Sequence, residues 1–210
     1  MMQSLLFNQQ HQDTTHTILE KDGRVVYMPG FFNEHQSTLL FDQLLQSLDW
    51  QVDQIMMFGK MITTKRKVAW VGDSDCSYTY SGVKKNPQVW TVELLQIKAQ
   101  LEKLTGCAFN SCLLTLYHNG EEGMGWHSDD EKELDPNVPI VSVSFGASRK
   151  FSFRHKIDKT KATIALENGS VLLMYPPTQE YWSHSLVTTK LAIPARINLT
   201  FRSIKNEPNK

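Results

Sequence analysis

Trp126-His127-Ser128-Asp129 is the segment whose side chains are best placed to do chemistry. Residues two apart in an extended stretch point to the same side, so His127 and Asp129 can take adjacent positions on one metal ion. A lone His-x-Asp is common by chance, and a third donor is needed. His184, within Tyr181-Trp182-Ser183-His184-Ser185, stands at the start of an expected strand far along the chain. Two imidazoles and one carboxylate on one face of an octahedron leave three positions open, the arrangement of non-haem iron(II) sites. A zinc site, or surface histidines without a ligand role, stays open as long as these residues are taken alone.

A second group of polar side chains lies near the C-terminus, in Arg196-Ile197-Asn198-Leu199-Thr200-Phe201-Arg202. Period-two alternation puts Ile197, Leu199 and Phe201 on one face of a strand and Arg196, Asn198, Thr200 and Arg202 on the other. The polar face could simply meet water. It is also a row of donors suited to carboxylates, because guanidinium groups bind them through paired, charge-assisted hydrogen bonds. The two arginines are about 20 Å apart along the backbone at about 3.3 Å per residue, and long side chains leaning inward can close on a small dicarboxylate.

These groups need a scaffold, and the order of elements suggests one. A short strand is expected at Arg24–Met28, before the Pro29-Gly30 turn. Asn33 and Gln36 form a capping-box pattern ahead of Leu40, Phe41, Leu44, Leu45 and Leu48 at helical spacing. A second helix follows Pro87, with Trp90, Leu94, Ile97, Leu101 and Leu104 on one face and Gly106 at its C-terminus. Short β-type runs then succeed one another: Cys112–Tyr117, Ile140–Phe145, Lys150–Arg154, Ala162–Leu166, Ser170–Met174, Ser183–Val187 and Arg196–Ile204. Helices first and strands after predict an α+β protein with a double-sheet, jelly-roll C-terminal half buttressed by two N-terminal helices. Spacing alone does not separate a sandwich from a barrel.

Bulk properties set the remaining bounds. The 210 residues suit a single domain, here 21–210, behind a polar, aperiodic arm over residues 1–20. The 22 Lys and Arg balance the 22 Asp and Glu, so net charge argues for no particular partner. The distribution is uneven: Glu121 to Asp135 holds seven acidic residues and one Lys, whereas Arg149 to Lys161 holds six basic residues and one Asp. Acidic loops suit cations and basic loops suit phosphates, although most charged loops are only solvated surface. Three cysteines, Cys76, Cys107 and Cys112, form no C-x-x-C pair and no even set, so they are expected to be reduced and structural. No basic leader with an apolar core and no long apolar run occurs, so a cytoplasmic location without membrane contact is the expectation. Nothing in the sequence demands more than a monomer.

Several motifs, in one order from about Phe58 to Ile204, closely resemble the AlkB family, nearest its mammalian members that repair duplex DNA. They are Leu116-Tyr117, Trp126-His127-Ser128-Asp129-Asp130-Glu131, Val143-Ser144-Phe145-Gly146, Phe153-Arg154-His155-Lys156 and the Arg196 to Arg202 strand. The resemblance implies a double-stranded β-helix core at about residues 111–204 and a nucleotide-recognition segment at about 50–85. It implies that His127, Asp129 and His184 hold Fe(II) and carry catalysis. Arg196, with Asn198 and Tyr117, would take the distal carboxylate of 2-oxoglutarate, and Arg202, with Thr200 nearby, the end that chelates iron. One departure stands out: the family usually has Asn two residues before the Tyr, and this chain has Thr115.

The implied reaction uses molecular oxygen and 2-oxoglutarate to hydroxylate an alkyl group on a nucleic-acid base, which then departs as formaldehyde while succinate is released. Reaching such a group requires extruding the base from the helix. Tyr78 and Tyr80 match the base-contacting segment, and Asp130 and Glu131 match positions lining the damaged-base pocket, where a carboxylate favours cationic lesions such as 1-methyladenine and 3-methylcytosine. Met57-Phe58-Gly59-Lys60 followed by Lys65-Arg66-Lys67 puts an apolar pair beside basic residues, a plausible wedge with phosphate clamps. The implied partner is alkylated DNA. An RNA demethylase with the same chemistry, a catalytically impaired nucleic-acid-binding member and an unrelated jelly-roll metalloprotein are the alternatives.

Overall fold

The N-terminal strands of the computed structural model show how closely its layers approach; it describes residues 15–57, 60–76, 78–80 and 83–205. β1 (His16–Leu19) and β2 (Arg24–Met28) form a hairpin that turns through Asp22 and Gly23, both at positive φ. A Cβ on Gly23 would lie 2.6 Å from Thr178 Oγ1, so a side chain there would collide with the next layer. α1 (Glu34–Ser47) starts at a complete capping box: Asn33 Oδ1 accepts from the Gln36 N–H at 2.9 Å and Gln36 Oε1 from the Asn33 N–H at 3.0 Å. Two hairpins follow, β3 (Gln51–Met57) with β4 (Lys60–Gly72), then β5 (Tyr78–Tyr80) with β6 (Val83–Lys85). α2 (Val92–Thr105) is capped by the Thr91 hydroxyl and ends at Gly106 in the left-handed region, whose N–H donates to the Glu102 carbonyl.

The second half is almost all strand: β7 (Ser111–Tyr117), β8 (Met124–His127), β9 (Ile140–Gly146), β10 (Arg149–His155), β11 (Lys161–Leu166) and β12 (Ser170–Tyr175). A short α3 (Thr178–Tyr181) leads into β13 (Trp182–Leu186), and β14 (Arg196–Arg202) ends the core. The strands make an eight-stranded sheet, ordered β1-β2-β12-β9-β14-β7-β4-β3, and a four-stranded sheet, β11-β10-β13-β8. All strand pairings in both sheets are antiparallel.

Alternation along the strands builds two cores from the large sheet. Leu114, Val141, Val143, Ile197, Leu199 and Phe201 face the helices, where they bury Leu44, Leu94, Ile97 and Leu101 completely. Each such aliphatic side chain contributes about 1.5–3 kcal/mol relative to exposure. The opposite face carries Tyr117, Ile140, Leu172 and Met174, which meet Phe151, Phe153, Leu166 and Leu186 of the small sheet. This second core makes the molecule a two-sheet jelly roll, which resolves the choice that spacing left open. No described helix is long and apolar enough to cross a membrane.

Three readings change. Within the stretch 1–20, expected to be a polar arm, His16–Leu19 pairs with β2 and buries Leu19. An edge strand with one inward-facing end has too little apolar alternation to stand out. Within the stretch expected to recognise nucleotides, β4 pairs with β7 and extends the large sheet, so it is also part of the scaffold. On the helices, Leu45 and Leu104 lie on exposed margins rather than in the buried stripe.

Candidate metal centre

His127 and His184 are 57 residues apart in sequence and directly opposite in the β8–β13 register. Their ring centroids are 4.3 Å apart, edge to face. Asp129 lies just past the end of β8, and the ligand atoms of the three residues all fall within 4.8 Å of one another. Asp129 Oδ1 is 3.9 Å from His127 Nε2, and Oδ2 is 4.0 Å from His184 Nε2.

Each donor is oriented by its surroundings. His127 Nδ1 is 2.8 Å from the Gly125 carbonyl, which can only accept, so Nδ1 carries a proton and Nε2 is the ring atom turned toward Asp129. His184 is buried against Phe151 and Phe153. That burial, partly opposed by the Asp129 charge, pushes its pKa down to about 4, so the ring is a neutral donor at pH 7. Burial pushes the Asp129 carboxyl up, but Arg202, His184 and His127 together more than offset it and the group stays below the usual carboxylate range. Arg202 Nη2 donates to Asp129 Oδ1 at 2.8 Å, and the Asp129 N–H donates to Gln179 Oε1 at 3.0 Å. Two imidazoles and a carboxylate form the nitrogen and oxygen donor set suited to Fe(II) with open positions.

The polar face of β14 is continuous with this cluster. Arg196 Nη2 donates to Ser144 Oγ at 2.9 Å and to Asn198 Oδ1 at 2.8 Å. Asn198 Oδ1 also accepts from Ser142 Oγ, and Asn198 Nδ2 donates to Thr200 Oγ1, both at 2.9 Å. Arg202 therefore stands at the metal end of the row and Arg196 at the remote end, with Tyr117 as the cross-strand partner of Arg196. The Arg196 guanidinium carbon lies 5.5 Å from the Tyr117 ring centroid. Thr115 is opposite Asn198, so the departure from the family pattern falls inside this row.

Arg196 is 2 % exposed and among the described residues has no carboxylate partner; burial brings its pKa down to about 10. The Nε atoms of Arg196 and Arg202 are both buried without a hydrogen-bond partner. Unsatisfied buried donors at two ends of one polar row suit a ligand with an acidic group at each end.

The remaining candidates divide. Asp130 and Glu131 line the same cleft as Asp129, Met174, Gln179 and Arg202. The Asp130 carboxylate is mostly exposed, 3.8 Å from Lys156 Nζ, whereas Glu131 has a buried Oε2 and its charge helps to keep Arg202 protonated. Phe58 and Gly59 lie outside the described residues, and for Lys60, Tyr78 and Tyr80 only the backbone, in β4 and β5, is described. Arg66, expected at a phosphate, is instead buried and donates to the Gly123 carbonyl at 2.8 Å. An arginine in a basic run reads as surface until its strand is seen to pair centrally. Ser142, Ser144 and Gln179 were missed; the two serines carry a signal, since they alternate with Val141, Val143 and Phe145 on β9.

Residues 24–202 match the profile of the 2OG-Fe(II) oxygenase superfamily. DNA oxidative demethylase ALKBH2 of Mus musculus is 38% identical over 184 residues, 82% of this chain and 77% of that protein. The bovine alpha-ketoglutarate-dependent dioxygenase alkB homolog 3 is 34% identical over 196 residues, 88% of this chain and 68% of that protein. The chain belongs to the AlkB family. Its fold is shared with a solved 2OG-Fe(II) oxygenase from Burkholderia pseudomallei, at a TM-score of 0.60 and 15% identity, over 88% of this chain and 87% of that one. As a 2OG-Fe(II) oxygenase, this AlkB-family protein is a dioxygenase that uses Fe(II), 2-oxoglutarate and oxygen.

Proposed function

We propose that this AlkB-family dioxygenase removes alkyl groups oxidatively from damaged DNA bases, with His127, Asp129 and His184 as the iron ligands. The observation that carries the reading is the joining of Asp129 to Arg202 at 2.8 Å, which ties a two-His, one-carboxylate cluster to a partly buried row of carboxylate-binding donors. The substrate class is supported by identities of 38% and 39% to mouse and human proteins named DNA oxidative demethylase.

When bound, iron, oxygen and 2-oxoglutarate supply the oxidation: the cosubstrate becomes succinate and carbon dioxide, and the N-methyl becomes N-hydroxymethyl, which leaves as formaldehyde. The protein's own groups orient and shield. Arg196, with Asn198 and Tyr117, binds the distal carboxylate. Arg202 offsets charge at the metal end and, through its bond to Oδ1, sets the direction in which Asp129 can ligate. Phe151 and Phe153 keep water from His184. Asp130 and Glu131 put negative charge at the cleft and favour cationic bases such as 1-methyladenine and 3-methylcytosine.

Formaldehyde and succinate are measured from 1-methyladenine presented in duplex DNA, single-stranded DNA and RNA, with iron(II) and 2-oxoglutarate present or withheld. Equimolar release from DNA, dependent on both additions, is expected. Release from RNA alone would move the substrate to RNA, and succinate without formaldehyde from any oligonucleotide would sink the base-repair reading.

A further inference from the structure

Arg149 opens β10, is 3 % exposed and, among the described residues, has no carboxylate partner. Its two Nη groups are committed to backbone carbonyls, while Nε is buried without a partner: Nη1 donates to Asn119 at 3.1 Å, and Nη2 reaches Gly120 at 3.2 Å, Glu122 at 2.6 Å and Val187 at 3.0 Å. The first three belong to the connection from β7 to β8, which runs from Tyr117 to the strand ending in His127. The fourth directly follows β13, the strand of His184. One side chain thus gathers the approach to both histidines.

That connection has little freedom. A Cβ on Gly120 would be 2.6 Å from Thr189 Cγ2, and one on Gly123 would be 2.6 Å from the Leu186 carbonyl oxygen. Arg66 holds the far end through the Gly123 carbonyl. Where the connection begins, two guanidiniums converge on one ring: the Arg149 carbon lies 5.8 Å from the Tyr117 centroid and the Arg196 carbon 5.5 Å. A planar fork with five donors can serve several carbonyls and a ring face together, which an ammonium on a flexible stem cannot do.

We propose that Arg149 is a positioning residue for the cosubstrate, holding Tyr117 against Arg196 so that the end of the site taking the distal carboxylate of 2-oxoglutarate keeps one shape. It acts through Tyr117, since both of its Nη groups are taken up by carbonyls and its guanidinium meets the Tyr117 ring. The inference rests on the assignment of Arg196 and Tyr117 to that carboxylate in the proposed function.

The test is a double-mutant cycle of Arg149→Met and Tyr117→Phe, read by calorimetric titration of 2-oxoglutarate into anaerobic, iron(II)-loaded protein, with circular dichroism confirming the fold. Each single change is expected to weaken binding about tenfold, as displacement of an orienting group does. The double variant should bind no more than about twofold worse than the weaker single, because a misplaced Tyr117 has nothing further to lose once its hydroxyl is gone. Losses that multiply, or unchanged binding in Arg149→Met, would overturn the proposal. Should Arg149→Met fail to fold, Arg149→Lys enters the same cycle and is judged by the same two outcomes. A wild-type protein that binds no 2-oxoglutarate would end this inference and the proposed function together, whereas normal wild-type binding with additive variants ends this inference alone.

Discussion

Asp129 serves two partners, facing the histidines and accepting from Arg202, and the two roles separate on substitution. Asp129→Ala should abolish formaldehyde release and also cost about 3 kcal/mol of stability, because it removes the carboxylate bonded to the largely buried Arg202 charge. His127, with its side chain 34% exposed, should lose turnover on change to Ala at far smaller cost to the fold. Urea unfolding of the two metal-free variants decides this; equal midpoints would mean that the Asp129–Arg202 pair holds nothing together. His184 adds a dependence on pH. The unfolded chain takes up the proton near 6.5, whereas the buried ring resists until about 4. The native state therefore binds fewer protons in that window, and the associated stability, present in full above pH 6.5, is lost as pH falls toward 4. Its size is on the order of 3 kcal/mol. Melting of the metal-free protein between pH 7 and 4.5 should show this slope, and His184→Gln should flatten it; identical slopes would place the titration elsewhere.

At the scale of elements, the β3–β4 hairpin bears on how a base would leave the duplex. Met57 pairs with Lys60, and Phe58 and Gly59 stand between them in sequence, outside the described residues. The strands behind them are anchored, since β4 pairs with β7 and Arg66 bonds to the Gly123 carbonyl ahead of β8. A hairpin rooted in the main sheet can push an apolar residue into a base stack without giving way, and a wedge of that kind offsets part of the few kcal/mol that unstacking costs. Phe58→Ala should therefore slow repair of 1-methyladenine in duplex DNA at least about tenfold more than in a single strand, where little of that cost arises. Equal slowing of both substrates would make Phe58 a structural residue of the hairpin, and no slowing would remove it from base extrusion.

The whole molecule is a jelly roll whose two sheets share one core while the large sheet shares another with α1 and α2. The N-terminal hairpin closes one edge. β1 caps β2, Leu19 is buried, and the Lys21 carbonyl accepts from Trp182 Nε1 at 2.9 Å, two residues before His184. A chain starting at Glu20 should melt roughly 5 °C lower, from the lost burial of one leucine and an edge strand. Calorimetry of the two lengths checks it, and unchanged melting would restore the reading of this stretch as a loosely attached arm.

What this sequence determined by itself is what the backbone imposes over a few residues. The alternation in β14 put Arg196, Asn198, Thr200 and Arg202 on one face whatever the fold, and Asn33 with Gln36 began a helix because the two satisfy each other's N–H groups. Pairing is different, because burial across a sandwich selects each strand's partners and no local spacing carries that information. Only the tertiary structure put His184 opposite His127, set Ser144 beneath Arg196, and turned Arg66 and Arg149 from members of basic runs into buried donors to backbone carbonyls. Charge is legible in a sequence, but the direction in which a charged side chain points depends on which strand lies next to it, and that is decided when the sheets close on their common core.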